Sequence, residues 1–412
     1  MFPLRSLLLS ILLLAGCAVT NPRPAEHRTG PVILVSIDGF RADFLDRGLA
    51  PHLSALAASG VRARAMRPAF PTLTFPNHYT LVTGLYPDHH GIIHNRMVDP
   101  ETGARYVYND PATTADPHWW GGEPIWVGAE RHGIRTATMF WPGSDVAIQG
   151  VRPSLWMQYD GKLTPAQRVD ALLGWFDAPA AQRPAFATLY FDQVDHAGHD
   201  FGPNSPEVAA AAAQIDAAIG RLLDGLAARG LADHADLVVV SDHGSAPTSE
   251  ERLVFLDRIV DLEQAGLTMP GIVIGFRPAP EHRAEVEAAL LAPHDHLQCW
   301  RKEHIPARLH YGSNPRVPPL VCAAEAGWMI TSRDFDAQKK GHYSRGEHGY
   351  DNAAPEMRAM FVAHGPSFRK GLVVPEFDNV DVYPLLTRLL GIPAAKNDGN
   401  PATGRAMLTG SD

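Results

Sequence analysis

Three stretches of the chain are apolar almost without interruption and end on acidic residues. Val32 to Ile37 runs into Asp38-Gly39, Ala185 to Phe191 into Asp192-Gln193-Val194-Asp195, and Ala235 to Ser241 into Asp242-His243-Gly244. Short runs of this kind, rich in β-branched and Leu residues, predict strands buried on both faces of a parallel sheet. Ser205 to Arg229 is rich in Ala, repeats apolar residues at helical spacing and stops at Gly230, which predicts a long helix. Strands alternating with helices predict an α/β fold, and such sheets carry ligand-binding groups at the carboxyl ends of their strands. The three acidic strand ends can therefore converge on one crevice. From 250 to 345 the periodicity weakens and Pro becomes more frequent, so this stretch reads as an insertion bordering the site within one catalytic domain, residues 31–412.

The N-terminus has a different pattern. Arg5, the apolar run from Leu7 to Leu14 and then Ala15-Gly16-Cys17 form a charged region, a short hydrophobic region and a small-residue cleavage site. The apolar run is too short to span a bilayer. Leu14-Ala15-Gly16-Cys17 resembles the bacterial lipobox, which implies a lipoprotein signal peptide over 1–16, lipidation of Cys17 and a tether over 17–30. A plain secretory signal with an incidental Cys is the alternative. By the same resemblance, Ala18 after Cys17 favours the outer membrane, so the expectation is a periplasmic, lipid-anchored protein of the bacterial envelope. The other two cysteines, Cys299 and Cys322, would mature in an oxidising compartment, where they form either a disulfide or two buried thiols.

Composition changes this picture little. The chain has 412 residues, 45% hydrophobic and 20% charged, as expected of a globular protein. Its formal charge of -9 becomes -10 when residues 1–16, with Arg5 as their only charge, are removed. A surface that tracks a nucleic-acid backbone needs clustered Lys and Arg, so sequence-specific nucleic-acid binding is excluded as a function class.

The candidate chemistry lies at the strand ends. Zinc favours imidazole and carboxylate donors, and Asp38, Asp195, His199, Asp242 and His243 supply both in tight clusters. Asp195 and His199 are four apart, so a helical turn would put both on one side. Taken singly, each is equally a turn or cap residue. His89-His90 and His294-Asp295-His296 have similar types but follow no predicted core strand, and surface roles are expected for them. Thr74 lies in Pro71-Thr72-Leu73-Thr74-Phe75-Pro76-Asn77, just before a helix that Pro76 could open. It is either a helix cap or a nucleophile whose phosphate partner would meet the helix N-terminus. No Gly-x-Ser-x-Gly, His-Glu-x-x-His, Walker loop or Gly-x-Gly-x-x-Gly is present, which weighs against four other enzyme classes.

Taken in order, the motifs resemble the nucleotide pyrophosphatase/phosphodiesterase family of the alkaline phosphatase superfamily. They are Ser36-Ile37-Asp38-Gly39-Phe40-Arg41, Pro71 to Tyr79, Thr83 to Tyr86, Gly91-Ile92-Ile93-His94-Asn95, Phe140 to Asp145, Asp195-His196-Ala197-Gly198-His199, Ser241 to Gly244, Glu347 to Tyr350 and Asn379 to Tyr383. The resemblance implies an alkaline-phosphatase-like core, a largely parallel sheet with helices on both faces. It implies two zinc ions, one held by Asp195, His199 and His348, the other by Asp38, Thr74, Asp242 and His243. His348 rests on the resemblance rather than on spacing. By the same resemblance, Asn95 and the Thr74 N–H bind the non-bridging phosphate oxygen, and Phe75 and Tyr190 flank a nucleobase. Tyr159 is either a further pocket residue or core packing.

The implied reaction is in-line attack by Thr74 on phosphorus and hydrolysis of the resulting phospho-threonine, releasing a nucleoside 5'-monophosphate from a nucleotide diester or pyrophosphate. The neutral Asn95 and apolar Phe75 favour diesters over monoesters. Choline-type lipid headgroup diesters are the second substrate class, and a non-catalytic envelope lipoprotein the third reading.

Overall fold

A computed structural model describes residues 30–410. Cys17, the signal peptide and all but the last residue of the tether lie outside the described residues.

The central sheet has eight strands, in the order Leu372–Val374, Val61–Ala63, Phe361–His364, Asp236–Val240, Val32–Ile37, Phe186–Phe191, Thr136–Met139, Leu155–Met157. All are parallel except Phe361–His364, which runs antiparallel to both of its neighbours. Val32–Ile37 sits at the middle and pairs with Phe186–Phe191 on one side and Asp236–Val240 on the other. All six of its residues are buried. Because side chains alternate along a strand, Val32 and Leu34 enter one core while Ile33, Val35 and Ile37 enter the other. An unbroken apolar run is what a strand covered on both faces requires.

The second of these cores is closed by helices Pro51–Ser59, Pro165–Trp175 and Pro206–Ala228, and the first by Thr74–Thr83, Ile125–Arg131 and Val382–Leu390. Pro206–Ala228 starts where the sequence signals it. The Ser205 hydroxyl accepts from the Val208 N–H, Pro206 occupies the first turn, where no N–H is needed, and Gly230 follows in the left-handed region at φ 67°.

The weakly periodic stretch contains a second, four-stranded antiparallel sheet in the order Leu267–Met269, Val273–Phe276, Leu320–Ala324, Leu297–Arg301. Cys299 and Cys322 stand directly opposite each other on its last two strands and are joined by a disulfide. Among the described residues no helix is long and apolar enough to cross a membrane.

Candidate active site

Three neighbouring strands of the large sheet deliver the acidic groups to one edge. Asp38 follows Val32–Ile37 directly, and Asp242 and His243 follow Asp236–Val240. After Phe186–Phe191 the chain turns at Asp192 into helix Gln193–Phe201, so Asp195 lies in a first helical turn rather than at a strand end. His199 stands one turn later on the same side, with its Nε2 3.4 Å from the Asp195 carboxylate. Gly39 allows this convergence. It sits at φ 69°, and a Cβ there would come within 3.0 Å of the Asp195 backbone.

His348 comes from a distant loop. The short strand Gly346–Glu347 pairs with Ala246–Pro247, just beyond His243, and Thr72 fixes the rest. The Gly349 N–H donates to Thr72 Oγ1 at 2.9 Å, and His348 Nδ1 meets the Thr72 carbonyl at 2.9 Å.

Thr74 is the first residue of helix Thr74–Thr83, with Pro76 third rather than first. A proline is tolerated there because first-turn N–H groups have no intrahelical partner. The Thr74 side chain does not cap the helix. Its Oγ1 lies 3.2 Å from His243 Nε2. Beside it, Asn95 Oδ1 accepts from the Phe75 N–H at 3.1 Å.

The imidazoles show what the cluster can hold. His199, His243 and His348 each place Nδ1 on a backbone carbonyl, of Gly346, Gly244 and Thr72 respectively, at 2.8, 3.0 and 2.9 Å. A carbonyl only accepts, so each Nδ1 carries a proton, and the ring nitrogen left to face the carboxylates, and to bind a metal, is Nε2. Ligand atoms of Asp195, His199 and His348 lie within 4.8 Å of one another, as do those of Asp38, Asp195 and His243 and those of Asp38, His78 and Asp242. Asp38 Oδ1 and Asp242 Oδ2 are buried with no hydrogen-bond donor. Two such carboxylate oxygens, facing imidazole Nε2 atoms, fit a bound cation.

Electrostatics agrees with this fit. Burial, and then the negative charges of Asp242 and Asp195, hold the Asp38 carboxyl well above the usual carboxylate range. Burial acts to raise Asp242 and Asp195 as well, but His243 and His78 beside the first, and His199 and His348 beside the second, bring both below that range. Burial pushes His348 down to about 3, helped by His243 stacked on it at 3.6 Å. Among the described residues no Lys or Arg lines the adjoining cavity.

That cavity, of about 420 Å³, opens from Thr74 and Asn95, and Phe75, Tyr190 and Tyr159 all line it. Phe75 rests edge-on against Tyr108, with ring centroids 5.4 Å apart. Tyr190 does more than offer a ring, because its hydroxyl donates to Asp38 at 2.6 Å. A second depression, of about 750 Å³, lies between helices Pro165–Trp175 and Pro206–Ala228, and among the described residues none of the expected site residues lines it.

One expectation is corrected. His89 is exposed and pairs with Asp398, but His90 is buried against Thr80 and the Ile92 N–H, because the turn Pro87–His90 rotates successive residues onto different faces. His296 keeps its surface role, stacked on Trp328. Three residues that support the site carried no assignment in the sequence: Thr72, Asn77 and His78. Asn77 clamps the loop before Thr74 through the carbonyls of Pro71 and Leu73. His78 reaches Asp242 at 3.3 Å. The available signal was the sequence Thr74 to Thr83, whose polar residues fall on every face of a helix rather than on one.

Acids and imidazoles gathered beyond the carboxyl edge of a largely parallel sheet, with a hydroxyl at an adjacent helix start, define a metal-dependent α/β enzyme. The family described as Type I phosphodiesterase / nucleotide pyrophosphatase matches residues 32–351, and the chain belongs to it. It is 39% identical over 379 residues to an uncharacterized pyrophosphatase/phosphodiesterase of Schizosaccharomyces pombe, covering 89% of this chain and 78% of that one. It is 37% identical over 388 residues to ectonucleotide pyrophosphatase/phosphodiesterase family member 1 of Mus musculus, covering 92% of this chain and 42% of the mouse protein. The chain thus spans less than half the length of that mammalian relative. Among solved structures it is similar to inactive murine ectonucleotide pyrophosphatase/phosphodiesterase 5, a threonine-to-alanine variant in complex with AMP. The TM-score is 0.87 at 35% identity, covering 92% of this chain and 100% of that one.

Proposed function

We propose that this protein hydrolyses nucleotide phosphodiesters and pyrophosphates, releasing nucleoside 5'-monophosphates, with two zinc ions and through a phospho-threonine on Thr74. The observation that carries the reading is Thr74 Oγ1 at 3.2 Å from Nε2 of His243, at a helix start, beside two buried carboxylate oxygens without donors. The murine structure supports it twice, through AMP as ligand and through a threonine substitution in a protein described as inactive.

Asp195, His199 and His348 would hold one zinc, and Asp38, Asp242, His243 and Thr74 the other; mixed imidazole and carboxylate donors suit zinc better than magnesium. Bound there, zinc supplies Lewis-acid charge that activates a hydroxyl and offsets charge on the attacking and leaving oxygens. Thr74 Oγ1, its proton given up, attacks phosphorus in line opposite the leaving alcohol or phosphate, whose P–O bond breaks and whose oxygen takes up a proton; water then enters from the side that group vacated, opposite Oγ1, breaks the P–Oγ1 bond and restores the Thr74 hydroxyl. The Phe75 N–H fixes Asn95 Oδ1, which turns Nδ2 to donate to a non-bridging phosphate oxygen together with the Thr74 N–H. With no Lys or Arg among the described residues of the cavity wall, a diester with its single charge fits better than a monoester.

A choline-type diester has one observation in its favour, since Asp145 lines the same aromatic-walled cavity and could face a quaternary ammonium. One experiment addresses both readings. Thr74→Ala should abolish hydrolysis of nitrophenyl thymidine 5'-monophosphate while the variant still binds zinc, and full activity would end the mechanism. In the wild type, glycerophosphocholine exceeding that ester in kcat/KM would replace the substrate class.

A further inference from the structure

Asp192 ends the strand Phe186–Phe191, three residues before Asp195, yet its carboxylate is committed away from the metal ligands. One oxygen accepts from Arg168 Nη2 at 3.3 Å and from the Tyr159 hydroxyl, and the other lies 3.2 Å from Arg168 Nη1. Arg168 is fully buried near the start of helix Pro165–Trp175. It also donates to the carbonyls of Tyr190 at 3.0 Å and Leu163 at 3.1 Å. Its guanidinium lies 5.2 Å from the ring centroid of Phe140 and 5.9 Å from that of Tyr159.

Phe140, Tyr159 and Tyr190 all line the cavity that opens from Thr74. Phe140 stands at φ 60°, a strained conformation for a bulky residue and one that persists only where its surroundings hold it. Burying a guanidinium is unfavourable unless its donors and charge are met, and an apolar residue could join helix to sheet without that penalty. Apart from the Leu163 carbonyl, every group that meets Arg168 belongs to the cavity wall or to the carboxylate behind it.

We infer that Arg168 is a positioning residue for substrate recognition. Through Asp192 it fixes Tyr159, and through a carbonyl it fixes Tyr190, so the two rings form a preorganised rest for the organic substituent on phosphorus. The identity of that substituent, a nucleoside whose base meets the rings, rests on the reading proposed above; the construction of the wall does not. Tyr190 is pinned a second time by its hydrogen bond to Asp38, so loss of Arg168 loosens Tyr159 most.

The test compares two substrates of the zinc-loaded full chain that share a leaving group, nitrophenyl thymidine 5'-monophosphate and methyl nitrophenyl phosphate. Arg168→Met should raise KM for the nucleotide ester about tenfold and Tyr159→Phe about threefold, with kcat held within about twofold and the methyl ester unaffected. Arg168→Lys, which keeps the charge but not the fork, should recover part of the loss. Equal losses on both substrates, or an unchanged KM, would overturn the inference. Tyr159 is 53% exposed, so Tyr159→Phe carries the test if Arg168→Met does not fold. A wild type that handles both esters equally would defeat the nucleotide reading instead. Arg168 is then read from a crystal structure of Arg168→Met, in which Tyr159 must leave Asp192; an unmoved ring defeats it.

Discussion

His78 and His243 approach the same carboxylate, Asp242, at 3.3 and 3.0 Å, but only one of them has a nitrogen to spare. His78 uses Nδ1 on the Thr74 carbonyl and Nε2 on the Ser36 hydroxyl, so it orients Asp242 and the nucleophile's backbone rather than joining the ligands. His90 is the residue whose burial has the clearest solution consequence. Burial depresses its pKa from 6.5 to about 3. Below the unfolded value, the unfolded chain takes up a proton that the folded chain refuses. This contribution to stability is therefore complete above pH 6.5 and is lost progressively as pH falls toward 3. His90→Gln should give a shallower decline in the urea midpoint between about pH 7 and about pH 5 than the wild type. Parallel declines would mean that burial of His90 does not govern acid sensitivity.

At the scale of elements, the disulfide ties the outer edge of the small sheet to its neighbour. Leu297–Arg301 is the terminal strand of this sheet, paired with Leu320–Ala324, and the bridge closes a sequence separation of 23 residues. Closing a loop of that length stabilises by about 3 kcal/mol. Replacing Cys299 and Cys322 together by Ala should lower unfolding stability by about that amount. The wall nearest the site is formed by other strands, with His94 bonded to the Val273 carbonyl and Ile272 packed against Gly349, so kcat should change little. Stability that is the same with and without a reductant would contradict this.

At the scale of the whole molecule, the site is a junction. The residues proposed as its ligands come from the ends of two central strands, helix Gln193–Phe201, the start of helix Thr74–Thr83 and a loop more than a hundred residues beyond His243. A cation bound there links all of these segments in the folded state and none of them in the unfolded state, so binding contributes directly to stability. Chelation should therefore lower the melting temperature as well as abolish hydrolysis, and added zinc should restore both. A melting temperature and activity indifferent to the chelator would exclude a metal at this junction.

The sequence by itself determined the elements whose signals are local. Unbroken apolar runs are what two-sided burial demands, so Val32–Ile37, Phe186–Phe191 and Asp236–Val240 were legible. Ser205, Pro206 and Gly230 likewise bounded a helix through capping chemistry alone. Residue type and spacing also marked Asp195 and His199 as neighbours. Tertiary structure decided what depends on partners far along the chain. It removed the cap alternative for Thr74, because Oγ1 turns to His243, and it brought His348 to Asp195 through Thr72. It also gave Tyr190 a bond to Asp38, committed both nitrogens of His78 and set Arg168 behind the cavity wall. The physical reason is common to all of these: a hydrogen bond's partner is chosen by three-dimensional proximity, and no local periodicity records it.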